Sequence, residues 1–92
     1  MPYIKPTDRQ PITRDAIDLA NIIDNVGELN YAITTIIDTL FGREEWPVNY
    51  ASFNTILGVL EAVKLELYRR VITPYEGEKM QLNGDVFPNL VH

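Results

Sequence analysis

The stretch from Asn49 to Pro74 constrains the fold more than any other. Asn49 is a good helix N-cap, because its side-chain oxygen can accept from the first unpaired backbone amides. Pro74 has no backbone donor, and its ring collides with the preceding turn, so it is predicted to stop the helix. Between them Phe53, Ile56, Leu57, Leu60, Val63, Leu67 and Val71 recur at three-four spacing. That is the period of one helix face. A helix over Tyr50–Ile72 is predicted, roughly 35 Å long at 1.5 Å per residue. Glu66 and Arg70 stand four apart in the favourable order, and Arg69 and Arg70 suit the negative end of the dipole.

The residues upstream hold two shorter helices. Residues 1–12 contain Pro2, Pro6 and Pro11. Proline interrupts the helical ladder, so they read as an extended arm. Thr13 can cap a first helix, with Asp15 in its first turn. Ala16, Leu19, Ala20 and Ile23 supply its apolar stripe. Asp24, Asn25 and Gly27 are weak helix formers, and a break near Gly27 is predicted there. One long helix through Gly27 is the alternative, because helical spacing continues across it. The second helix covers about Glu28 to Phe41, with Leu29, Ile33, Ile36 and Leu40 on one face and Gly42 as its stop. Trp46 and Pro47 lie in the loop before Asn49. Residues 74–92 read as a second arm, with Asn83-Gly84 as a turn or hairpin signal.

The predicted fold is therefore all-α, with three helices of which the third is longest. It is one domain over residues 1–92, with the helical core at 13–73 between the two arms. A chain of 92 residues has little core to spare.

Charge and composition exclude several functions. The net charge is -5 and the pI about 4.6, where nucleic-acid and anionic-membrane binding need a basic surface. There is no cysteine, which removes thiolate nucleophiles, disulfides and Cys-ligated zinc. Neither a secretory signal nor a membrane span is expected, so the cytoplasm of a bacterium or a phage-infected host is the expected compartment. The histidine is His92 at the end of the chain, and Ser52 falls in the first turn of the third helix. A nucleophile needs a positioned base within hydrogen-bond reach, and a terminal histidine is a poor one. No catalytic residue, metal ligand or cofactor is predicted. Carboxylates are the remaining route to metal chemistry. Asp15 and Asp18 have the right spacing, but Leu19 and Ile23 mark the buried stripe there.

Apolar surplus is the most informative functional signal. Beside its main stripe the third helix carries Val59, Ala62 and Leu65, flanked by Gly58. Two short helices need not cover both stripes, and soluble monomers rarely leave large apolar patches open. Homodimerisation is predicted through Phe53, Ile56, Val59, Leu60, Ala62, Val63 and Leu65, giving a dimeric helical bundle. The acids of the first two helices and the cations of the third could also pair, within one chain or across two. A surface for another protein is predicted at Trp46, Lys64, Tyr68, Arg69, Arg70 and Tyr75, where aromatics stand beside cations.

The runs Gly27-Glu28-Leu29-Asn30-Tyr31-Ala32-Ile33-Thr34, Leu60-Glu61 through Lys64, Glu66 and Tyr68-Arg69-Arg70, Pro74-Tyr75-Glu76 with Lys79, and Asn83-Gly84-Asp85-Val86 carry a resemblance. In combination and order they resemble a group of short uncharacterised proteins encoded by tailed phages, prophages and some bacteria. The resemblance covers about residues 27–87. It implies a genomic setting and assigns no activity or site residue. Two functions stand open: a non-enzymatic interaction or structural protein, and a small divalent-metal-dependent hydrolase using helix carboxylates.

Overall fold

A computed structural model describes residues 2–90. Their regular structure is all helical, without a strand among the described residues. The elements are α1 (Pro6–Ile22), α2 (Val26–Leu40), α3 (Tyr50–Leu67), a π turn (Tyr68–Ile72) and α4 (Thr73–Asn83). The π turn joins α3 to α4 without a break, so three helical runs result and the third is the long one. The chain divides into two compact units, Met1–Gly58 and Val59–His92.

In the first unit α1 begins earlier than predicted. Pro6 occupies its first turn, where a missing N–H costs nothing. Asp8 stands there too and suits the positive end of the dipole. Pro11 lies inside the helix and sacrifices one hydrogen bond close to the N-terminus. The extended arm over residues 1–12 is thus corrected to a helix from Pro6, and Thr13 sits mid-helix rather than at a cap.

The break between α1 and α2 is real, but Asn25 makes it. Ile23 is extended, and Asn25 Oδ1 accepts from the Glu28 backbone N–H at 2.8 Å. Glu28 Oε1 reciprocates by accepting from the Asp24 N–H at 2.7 Å. These bonds satisfy amides that a helix start otherwise leaves unpaired. Gly27 lies inside the first turn of α2 and has no positive φ. α2 ends at Leu40 beside Gly42, and Asn49 Oδ1 accepts from the Ser52 N–H at 2.9 Å to start α3 as predicted.

What core the first unit has lies where α2 turns into α3. The Phe41 and Phe53 rings stand 5.5 Å apart at 58°. Ile56, at 8% exposure, is the buried hydrophobic residue among those described. Leu40, Phe41 and Trp46 are half-buried. No helix of this unit lies along the length of another.

In the second unit Pro74 does not end the helix. The Thr73 N–H donates to the Tyr68 carbonyl five residues back. This wider turn takes the backbone past a residue that would otherwise strike the carbonyl four residues before it. The helix stops instead at Gly84, whose φ of 90° is glycine's region. Asn83-Gly84 is therefore a helix end and not a hairpin. The C-terminal arm over residues 74–92 is corrected to α4 followed by a short tail, in which Asp85 Oδ1 accepts from the Phe87 N–H at 2.9 Å.

Candidate functional site: open helix faces

The predicted self-association residues fall into two groups. In the first unit the Phe53 ring stands against Phe41, and Ile56 is buried within the chain itself. In the second unit Val59, Leu60, Val63 and Leu65 are all exposed, and Ala62 is half-buried. Leu67 and Val71 continue the same apolar series and are exposed as well.

The cations of the predicted partner surface are met by acids of their own helix. Lys64 Nζ stands 3.4 Å from Glu61, and Arg69 holds both carboxylate oxygens of Glu66 at 2.9 and 3.0 Å. Glu66 is thus paired with Arg69 one turn on. Arg70 lies within the π turn. Tyr68 donates its hydroxyl to Glu76 at 3.3 Å, and Lys79 sits 5.6 Å from the Tyr75 ring centre. Exposed ion pairs of this kind contribute little to stability. In the first unit Trp46 is half-buried in the loop between α2 and α3.

Sequence reasoning missed one feature of the first unit. Because Ile23–Asn25 break the chain, the end of α1 and the first turns of α2 meet at a corner. A groove of about 380 Å³ opens there, with Leu19, Ile22 and Ile23 from α1 and Tyr31, Ala32 and Ile36 from α2 along it. The signal was present in the two apolar stripes, but the groove depends on where the break falls. Acids surround it. From Asp15 to Asp38 the chain carries Asp15, Asp18, Asp24, Glu28 and Asp38 and no lysine or arginine. These carboxylates do not converge: no group of three or more acidic or histidine side chains is placed to hold a metal among the described residues. Ser52 spends its backbone amide on the α3 cap, and His92 lies outside the described residues.

Helices with open apolar faces and no strand among the described residues define the class: an all-helical protein with exposed apolar helix faces. The chain belongs to the family described as domain of unknown function DUF6899, whose model matches residues 1–86. No curated protein and no solved structure matches it. None of the helices described is long and apolar enough to cross a membrane.

Proposed function

We propose that this chain is a non-enzymatic interaction protein that works as a homodimer. Its second half of α3 lies at the interface, and it acts in the cytoplasm of a bacterium or an infected host as a phage or prophage accessory factor. One observation carries the reading. In the second half of α3 the apolar side chains Val59, Leu60, Val63, Leu65 and Leu67 are between 40% and 59% exposed, and soluble monomers rarely leave such a contiguous apolar patch open.

The character of α3 supports the same reading. Val59, Leu60, Ala62, Val63, Leu65 and Leu67 leave it apolar on more than one side. A helix apolar all round belongs inside an assembly rather than on its outside. The phage setting rests on the resemblance of the helical runs described above. Tyr68 and Tyr75, with the cations Lys64, Arg69 and Arg70, offer a surface for a further protein partner in the second unit, and Trp46 offers a separate one in the first.

Light-scattering mass over a tenfold concentration range tests the proposal. A mass near twice 10.5 kDa supports it, and Val59→Glu with Leu65→Glu then splits the dimer. A monomer of unchanged helicity at every concentration overturns it.

A further inference from the structure

We infer that Asn83-Gly84, at the end of α4, is a self-modifying site. Asn83 converts to aspartate and isoaspartate when the helix end opens, and the Gly84 cap holds that conversion back. Neither statement depends on the self-association proposed above.

The chemistry needs an asparagine followed by an unhindered backbone amide. The Gly84 nitrogen gives up its proton and bonds to Asn83 Cγ. The side-chain nitrogen leaves as ammonia, and a five-membered cyclic imide remains. Water then opens the imide at one of its two carbonyls. Opening at Cγ gives aspartate, and opening at the main-chain carbonyl gives isoaspartate. The net change is hydrolysis of one amide, with water as the co-reactant. Asn83 is the asparagine of this chain that precedes glycine, which has no Cβ to obstruct the attack. The other asparagines precede Ile22, Val26, Tyr31, Tyr50, Thr55 and Leu90, whose side chains crowd the attacking nitrogen. Asn83 is exposed, and nothing stands within 4 Å of where a Gly84 Cβ would be. Water therefore reaches the site.

Two features restrain the reaction. Asn83 is the last residue of α4, and a helical ψ does not bring the next nitrogen to face Cγ. The Gly84 N–H is also engaged, donating to the Met80 carbonyl at 2.7 Å. That hydrogen bond must break before the nitrogen can attack. Helix ends open at much lower cost than packed interiors, so the last turn of α4 sets the rate. Conversion runs one way. The product adds a carboxylate at the negative end of the α4 dipole, where an anion is unfavourable, and isoaspartate lengthens the backbone inside the cap.

Peptide-resolved mass spectrometry of the full chain tests both parts. The amide-to-acid mass change is followed at every asparagine, in neutral buffer and in guanidinium chloride. In guanidinium Asn83 is expected to convert at least about tenfold faster than any other asparagine, because its neighbour alone lacks a side chain. In buffer its conversion is expected to be at least about tenfold slower than in guanidinium. Gln81→Gly changes an exposed position inside α4 and leaves the Asn-Gly pair intact. It should speed conversion in buffer about fivefold by loosening the last turn, with the guanidinium rate unchanged. Another asparagine converting first in guanidinium, or none converting at position 83, overturns the site. Equal Asn83 rates in buffer and guanidinium, or a Gln81→Gly rate in buffer equal to wild type, overturn the restraint by the cap.

Discussion

Thr73 donates its backbone N–H to the carbonyl of Tyr68, and this five-residue bond carries the helix past Pro74. An α-helical ladder would place the proline ring against the Arg70 carbonyl. The π turn removes that clash, so α3 continues as α4. Backbone chemical shifts should therefore remain helical from Thr73 to Asn83. In Pro74→Ala the amide at 74 can join the ladder, and removing proline favours the helix by up to about 3 kcal/mol. Helicity should persist or rise. Helical shifts that end at Ile72 in the wild type would contradict the continuous run.

Asn25 and Gly27 are coupled through one atom. Asn25 Oδ1 caps α2, and a Cβ on Gly27 would stand 3.3 Å from it. Asn25→Ala should cost about 1 kcal/mol, seen as a fall in melting temperature of about 4–8 °C. Gly27→Ala ordinarily gains about 1 kcal/mol in a helix. Here the gain should be smaller while Asn25 is present and should recover in the Asn25→Ala background. A double-mutant cycle by denaturant unfolding measures that coupling. Strict additivity would show that the cap and the glycine are independent.

Ile56 should be the most sensitive apolar position of the first unit. It is buried at 8% exposure, whereas Val48 in the preceding loop is 72% exposed. Ile56→Ala should destabilise by about 2–5 kcal/mol, and Val48→Ala by less than about 0.5 kcal/mol. Equal losses in chemical denaturation would mean that the core lies elsewhere.

Gly84 should resist substitution for reasons of backbone alone. Its φ is 90°, and nothing stands within 4 Å of where a Cβ would go. Gly84→Ala should thus cost about 1–2 kcal/mol through the left-handed conformation. The loss should be confined to the end of α4, visible as faster hydrogen exchange at the Gly84 amide that bonds the Met80 carbonyl at 2.7 Å.

Much of the helical plan was legible in the sequence. Asn49 capped α3 as its side chain predicted, and the stripes of α2 and α3 gave helices at the expected places. The errors came from proline. Pro6 and Pro11 suggested an extended arm, but a helix tolerates proline at its start. Pro74 suggested a stop, but a π turn accommodates it. Asn83-Gly84 carries the same residue types for a hairpin and for a helix end. The surrounding apolar period decides between them, and residues 74–92 have little. Among site residues, Ile56 shares its stripe with exposed neighbours, and spacing within α3 does not encode which of them is buried.

The proposed homodimer makes folding and association one process. With Ile56 as the buried hydrophobic residue among those described, the lone chain has little burial to offset conformational entropy. The most direct measurement is the melting temperature, followed by circular dichroism, across a hundredfold range of protein concentration. Coupled folding and dimerisation predicts a midpoint that rises steadily with concentration. A sharp transition whose midpoint does not move, from a species of monomer mass, would contradict the account.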